Sequence, residues 1–505
     1  MLSSLSRLPL FLLLFGLSGI VMYVPAIYAG VLHDLHEARS FFYSGTLVLF
    51  VFGLIALAMS HTHEAPRSVD HLVALFLAFT VLPAVLALPF YEGLATTTYV
   101  NAYFEMVSSL TTTGATLYDN PDRLSPSLHL WRGIVAWFGG LLMWIAAVAI
   151  FSPLNLGGFE VTAQADPGTD ETQHGPRIIA DPRKRLARAA KALIPIYAGL
   201  TLVLWVLLMI MGSQALGGLM HAMAVLSTSG ISPVGGLENA QAGIGGEVML
   251  FAFMVFALSR STFSNETGAV RRDAFWRDYE FRLGVLIVVL VPCFLFLRHF
   301  LGAYEFEDSQ NIGAALRAAW GAVFTVMSFL TTTGFESTDW QAAQEWSGLS
   351  TPGIILMGLA IVGGGVATTA GGVKLLRVYA LYLQGYGEIQ RLVHPSVVVG
   401  RRSDARRIRR KGAQIAWVVF MLFAISIAVV SAVLAFLGVG FEDAFVLTIA
   451  ALTTTGPLIS VAAESPIELA AQSDAVKLVL AATMVVARLE TLAIVALMSP
   501  ELWQK

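Results

Sequence analysis

The chain alternates between long apolar runs and short polar breaks. Runs near residues 8–29, 40–60, 70–91, 131–153, 189–212, 246–264, 282–301, 349–384, 413–437 and 475–499 are each about the length that crosses ~30 Å of hydrocarbon as a helix. Shorter apolar stretches lie at 103–110, 219–226, 323–330 and 445–452. These cannot span a bilayer, so the pattern predicts re-entrant helices. Each ends in nearly the same word: Leu110-Thr111-Thr112-Thr113-Gly114, Leu226-Ser227-Thr228-Ser229-Gly230, Leu330-Thr331-Thr332-Thr333-Gly334 and Leu452-Thr453-Thr454-Thr455-Gly456. One Thr/Ser-Gly word is ordinary turn chemistry. Four at near-regular spacing indicate an internal fourfold repeat, and a repeat dictates architecture.

The predicted fold is an all-α polytopic membrane protein. Four pseudo-symmetric units of helix, pore helix, loop and helix surround one central pore, and two extra transmembrane helices precede them. The expected divisions are 1–65 for the two extra helices, 66–160 for repeat 1, 161–265 for repeat 2 with its preceding cytoplasmic loop, 266–400 for repeat 3 and 401–505 for repeat 4. Irregular backbone at membrane depth is tolerated only where it is packed in protein or lines a watery cavity, so the four loops should meet at the axis. Small Thr and Ser let the backbone run close to that axis, and glycine permits angles that turn successive carbonyls toward one centre. A ring of carbonyls replaces a cation's hydration shell. The C-terminal ends of the short helices favour positive charge there. The candidate filter is Thr112, Thr113, Gly114, Thr228, Ser229, Gly230, Thr332, Thr333, Gly334, Thr454, Thr455 and Gly456, with the ion on the carbonyls of Thr113, Ser229, Thr333 and Thr455. The words carry no carboxylate, which argues against an acidic divalent-cation site.

Composition agrees: 56% of residues are hydrophobic, 13% are charged, and mean hydropathy is +0.72. Such a chain belongs in a bilayer. The net charge of −3 gives no sign of nucleic-acid binding. The lone Cys293 permits no disulfide framework and reads as a small core hydrophobe. Lys and Arg concentrate in 177–191, 271–282 and 391–411, which the positive-inside rule assigns to the cytoplasm together with both termini. The four words then face outside. The density of charge at 401–411 also suits anionic lipid or a cytosolic partner. Residues 1–29 carry Arg7 and a weak cleavage-like Ile27-Tyr28-Ala29, but the run is long for a signal peptide and is expected to stay as a span.

Gly363, Gly364, Gly365, Thr368, Thr369, Ala370, Gly371 and Gly372 interrupt the last span of the third repeat at mid-membrane. A close-packed kink needs fewer small residues; a flexible gate below the filter fits better. Arg488 lies deep in the last span, where charge is costly and faces a cavity or a partner. Glu490 is the structural alternative as its partner, although residues two apart on a helix do not face each other.

Other stretches complete a pattern: Trp131-Arg132 with Trp137-Phe138-Gly139-Gly140, Gly157-Gly158, Phe335-Glu336, the Gly363 to Lys374 run, and Arg488-Leu489-Glu490. Together they resemble the TrkH branch of the Trk/Ktr/HKT superfamily of potassium uptake proteins over residues 70–500, and the two extra N-terminal spans are typical of that branch. The resemblance implies that Gly114, Gly230, Gly334 and Gly456 are the filter glycines. A serine at the first position accompanies sodium preference in plant relatives, so four glycines imply potassium. It implies that the loop from Gly363, through Lys374, obstructs the pore and that Arg488 lies in the pore beside it. It further implies a bacterial inner-membrane homodimer with one pore per protomer, and a cytosolic nucleotide-binding RCK-type (TrkA-like) regulatory subunit. The basic loops would be docking surfaces, membrane lipid surrounds the chain, and K+ is cargo with no cofactor in the chain.

The chain departs from the family in places. Ala487 stands where glycine is usual, and Ala257-Leu258-Ser259-Arg260-Ser261 replaces a Gly-x-x-Asn-Phe stretch. Arg260 is expected to snorkel to the interface. The acidic segment 160–176 has no assigned role, and His61, His63 and Glu64 read as a cytoplasmic turn. Coupled K+ symport with H+ or Na+ and a less selective K+/Na+ path are the alternatives; symport folds usually show inverted repeats and midplane acids. No nucleophile–base or nucleotide-binding constellation suggests an enzyme.

Overall fold

Apolar length decides which helices cross the bilayer. The computed structural model describes residues 8–59, 68–154, 156, 182–258, 278–302, 312–348, 352–394, 410–463, 467–490 and 494, and these contain helices and no strand. Seven of their helices are long and apolar enough to span: Leu10–Val31, Leu35–Ala58, Asp70–Gly93, Pro126–Phe151, Arg183–Ile210, Tyr279–Leu297 and Gly412–Phe436.

The expected spans at 246–264, 349–384 and 475–499 differ. Gly243–Met254 is only 12 residues and tightens into a 3-10 turn at Val255–Ala257. Gly353–Val362 is 10 residues and stops at the glycine run, and the chain resumes as Leu375–Val393. Asp474–Leu489 is 16 residues. All three end among other helices rather than against lipid, where backbone can leave the helix because protein groups satisfy it.

The half-length helices are Tyr99–Leu110, Ala215–Ser227 and Phe441–Leu452, of 12, 13 and 12 residues. The helix that ends in the third word is longer than expected, Ile312–Leu330 at 19 residues. Each descends between a preceding outer helix and a following inner one. The inner helix Pro126–Ala146 packs very closely on two of them. A Cβ on Gly139 would overlap the carbonyl of Leu110, and one on Gly140 would press on Ser227. The sequence Trp137-Phe138-Gly139-Gly140 is therefore a seat for the ends of two half-length helices.

The N-terminal pair of helices docks against Asp70–Gly93 and Pro126–Ala146. Asp34 caps Leu35–Ala58 by accepting from Glu37 N, and the Glu37 carboxylate accepts from Ser125 Oγ at 2.6 Å and from Ser127 Oγ. Cys293 corrects an expectation. It is exposed on the outer helix Tyr279–Gly302, on the lipid-facing side of an apolar run, rather than in the core.

Two buried carboxylates fasten the segments that leave the words. Glu105 pairs with Arg132 Nε at 3.0 Å and accepts from Leu117 N at 2.6 Å and Thr116 Oγ1 at 2.9 Å. Glu247 accepts from Trp320 Nε1 at 2.8 Å, Ser337 Oγ at 2.8 Å, and Thr338 N and Oγ1 at 2.7 and 2.8 Å. Arg132→Met would leave the Glu105 carboxylate buried and unpaired, which costs about 3–5 kcal/mol. Purified Arg132→Met protein should unfold at clearly lower temperature in detergent, and the Glu105→Gln/Arg132→Met double variant should recover part of that loss. Equal stability of wild type and single variant would show that the Glu105–Arg132 pair is not a clamp.

Candidate functional site

A helix that stops inside a membrane must satisfy its last carbonyls without water. All four helices that end in the words do so identically. The second residue of each word, Thr112, Thr228, Thr332 and Thr454, is left-handed, with φ of +56°, +53°, +57° and +51°. Its N–H bonds Ser109 O, Val225 O, Phe329 O or Ala451 O, and the next N–H reaches back to Ser108 O, Ala224 O, Ser328 O or Ala450 O at 2.8 to 2.9 Å. This is the Schellman closure, normally built on glycine. A β-branched residue at positive φ is an outlier, and here it occurs four times. Side chains hold it. The first hydroxyl of each word bonds back one turn, Thr111 to Val107 O, Ser227 to Met223 O, Thr331 to Met327 O and Thr453 to Ile449 O. The same hydroxyl meets that of the third residue at 2.8 to 3.2 Å.

The four words close on one another. A Cβ on Gly114 would overlap Ser229 O, one on Gly230 would overlap Thr333 O, one on Gly334 would strike Pro457, and one on Gly456 would overlap Ala115 N. Contacts thus run first to second, second to third, third to fourth and fourth to first. The candidate filter residues Thr112, Thr113, Gly114, Thr228, Ser229, Gly230, Thr332, Thr333, Gly334, Thr454, Thr455 and Gly456 all belong to this ring.

The glycine run lies against one face of the ring. Its ends are zipped by Val373 N to Ile361 O at 2.8 Å, Lys374 N to Val362 O at 3.0 Å and Leu375 N to Gly364 O at 2.9 Å, so the excursion is closed at its base. Its tip touches the ends of three of these helices. Gly371 N donates to Thr332 Oγ1 at 2.7 Å, Thr369 Oγ1 donates to Leu226 O at 3.2 Å, and a Cβ on Gly371 would overlap Thr453 O. Trp144 Nε1 holds Ala367 O at 2.9 Å, and Gly365 N donates to Ala257 O at 3.0 Å. Arg488 Nη1 donates to Thr369 O at 2.6 Å, and Lys374 Nζ donates to Ala370 O. The Glu490 carboxylate is taken by Arg377 at 2.6 Å. The Arg488–Glu490 pair considered from sequence is therefore not the arrangement here. Arg488 Nε and Nη2, Thr112 Oγ1 and Thr454 Oγ1 are buried with no hydrogen-bond partner among the described residues. A cavity of about 30 Å³ lies between Thr454, Gly371, Lys374 and Arg488.

The TrkH family profile, described as a cation transport protein, matches residues 38–505. This chain belongs to the TrkH family. It is 30% identical over 451 residues to the Trk system potassium uptake protein TrkH of Salmonella typhimurium, covering 87% of each chain. It is 29% identical over 506 residues to the TrkH of Vibrio parahaemolyticus, covering 97% of this chain and 98% of that one. The crystal structure titled as the potassium transporter TrkH from Vibrio parahaemolyticus superposes with a TM-score of 0.81 at 26% identity, covering 99% of both chains. Members of the TrkH family are transport proteins rather than enzymes.

Several residues singled out in the sequence, including Gly157-Gly158, 160–176, Arg260, His61, His63, Glu64 and most of 395–411, lie outside the described residues. Sequence reasoning also missed residues around the ring. Glu105 and Glu247 are ionisable groups within apolar stretches, a signal that was available. Of the carboxylates above the ring only Glu336 stood out, within Phe335-Glu336; Asp119, Glu238 and Glu468 are scattered in sequence and gave no signal.

On the opposite face from the glycine run, a vestibule of about 400 Å³ lies over Gly114, Gly230, Gly334 and Gly456. Asp119, Glu238, Glu336 and Glu468 line it, with His129 and Arg132, whose guanidinium is paired with Glu105. Burial, then the neighbouring Glu238 charge, push the Glu336 carboxyl up to about 7. Burial, then Glu468, raise Asp119. Glu336 is charged above that value and neutral below it. The vestibule should therefore lose negative charge, and concentrate cations less, as pH on its side falls through about 7. The KM for the transported cation should rise over that interval, and Glu336→Gln should hold KM at the high value at every pH. An identical pH profile in the variant would exclude Glu336.

Proposed function

We propose that this chain takes up potassium across the bacterial cytoplasmic membrane through a channel-like pore. The ring of word carbonyls is its selectivity filter and the loop 363–372 is its gate. The observation that carries this reading is the fourfold repetition of one strained helix ending around one axis. Such an arrangement suits a desolvated monovalent cation held by backbone oxygens. Potassium as cargo is supported by the relatives' printed names and by glycine at all four filter positions. The intramembrane carboxylates Glu105 and Glu247 are occupied by an ion pair and hydrogen bonds, which favours a channel-like path over proton-coupled symport. In this reading the vestibule faces outside, the termini and basic loops face the cytoplasm, and the five divisions of the chain are two extra helices and four pore repeats. A homodimer is supported by the face Tyr382, Tyr386, Ile389 and Val393 on helix Leu375–Val393, a run of exposed apolar groups at helical spacing. A cytosolic RCK-type subunit would engage the basic loops and act on the gate.

The filter reading is tested by Gly114→Ser. The added side chain collides with the Ser229 carbonyl and should weaken preference for K+ over Na+ in liposome flux. An unchanged ratio in correctly inserted protein would reject it.

The gate reading concerns two groups that share one barrier. Shortening the loop 363–372 should raise K+ flux without any cytosolic partner. Arg488→Ala should also raise flux, because it removes a positive charge from a low-dielectric path. The combined change should be less than additive, since residues in contact couple. Variants that insert and dimerise normally yet give no added flux would leave the loop and Arg488 with structural roles alone.

A further inference from the structure

The ring is not fourfold at its vestibule side, and the difference lies in one dipeptide. Gly114, Gly230 and Gly334 are left-handed, with φ of +74°, +62° and +85°, whereas Gly456 is outside that region. Only Gly456 precedes a proline, which restricts the backbone of the residue before it. The consequences are local and asymmetric. Gly114 N and Gly334 N point back to their own pore helices, toward Ser108 O and Ser328 O. Gly456 N crosses instead to Thr113 O of the first word at 2.6 Å. The fourth word then curls into a turn. Leu458 N takes Thr455 O at 3.2 Å, and Ile459 N takes Gly456 O at 3.0 Å. Two of the four carbonyls assigned to the ion are thereby engaged by N–H groups.

The proline ring itself reaches across the axis. A Cβ on Gly334 would lie 2.8 Å from Pro457 Cγ, and one on Gly230 would lie at the same distance. Gly230 belongs to the word diagonally opposite in the ring order. Pro457 is partly exposed in the vestibule wall and lies over the entrance from that side. It also has no N–H to aim at an incoming cation.

We propose that Pro457 is a specificity-determining residue, a wedge over the vestibule end of the filter that sets the largest cation admitted. This rests on the filter reading above. The Pro457 ring packs directly against the backbone of Gly230 and Gly334, so a bare cation enters at this level only as the ring gives way from them. Bulk at position 457, rather than the carbonyls alone, then rejects ions larger than potassium and rubidium.

The test is tracer uptake of K+, Rb+ and Cs+ by wild type, Pro457→Ala and Pro457→Val in liposomes, with Gly114→Ser measured alongside. The wedge predicts little Cs+ uptake by wild type, a several-fold rise in the Cs+ to Rb+ ratio for Pro457→Ala, and a ratio close to wild type for Pro457→Val, which keeps the bulk. Ratios unchanged in both variants overturn the proposal. A rise in both also overturns it, because the effect would then belong to the backbone before proline and not to the ring. Wild-type protein that admits Cs+ as readily as K+ overturns it whether or not the variants fold. A change in K+ to Na+ preference in Gly114→Ser with no effect at 457 leaves the filter reading standing and removes the wedge; no effect at either position removes the filter reading itself.

Discussion

The centre of this molecule depends on ending four helices inside a bilayer. An α-helix leaves its last carbonyls unbonded, and hydrocarbon offers them nothing. The Schellman closure answers two of them, but it demands a left-handed residue. Glycine would take that conformation with little strain. The chain places threonine there four times, at Thr112, Thr228, Thr332 and Thr454. Backbone strain of this kind costs about 1–3 kcal/mol per site and persists where surroundings over-determine it. The surroundings here are the paired hydroxyls of the first and third word residues, which fix the loop from both ends.

Glycine would omit the hydroxyl, and the hydroxyl has work at the other face of the ring. Thr332 Oγ1 accepts the N–H of Gly371 in the interrupting loop. Thr112 Oγ1 and Thr454 Oγ1 are buried without a hydrogen-bond partner among the described residues. Thr332 therefore presents an oxygen where the ring meets the loop, whereas the Thr228 hydroxyl donates to Ser227 O. At Thr332 one choice of residue type ties the shape of the ring to the position of the loop 363–372. Arg488 and Lys374 hold the loop by its own carbonyls, at Thr369 and Ala370, rather than through acidic partners. Their charges stay uncompensated by those contacts and face the same small cavity.

Most of the membrane architecture was legible in the apolar runs, because length and hydropathy alone determine a spanning helix. The inner helices after Pro126–Ala146 were not. Runs at 246–264 and 349–384 look continuous in hydropathy, yet Gly243–Met254 and Gly353–Val362 end early, since protein neighbours substitute for the helical bonds. The words were legible from repetition, and the Gly363 to Gly372 interruption from its excess of glycine. Cys293 was misread because an apolar run gives no sign of which side meets lipid. The asymmetry at Gly456-Pro457 was in plain view in the sequence, but four matching words hid the residue that follows the fourth. Asp119, Glu238, Glu336 and Glu468 come together only through folding, and no spacing links them.

All four words sit on one polypeptide. A ring assembled from identical subunits changes every quadrant when one codon changes, so its variants come in steps of four. In this chain each quadrant has its own codon, and three can keep glycine followed by Ala115, Ile231 or Phe335 while the fourth takes proline. Heredity can therefore adjust one side of the axis and leave the rest untouched, which makes small, graded departures from symmetry accessible to selection.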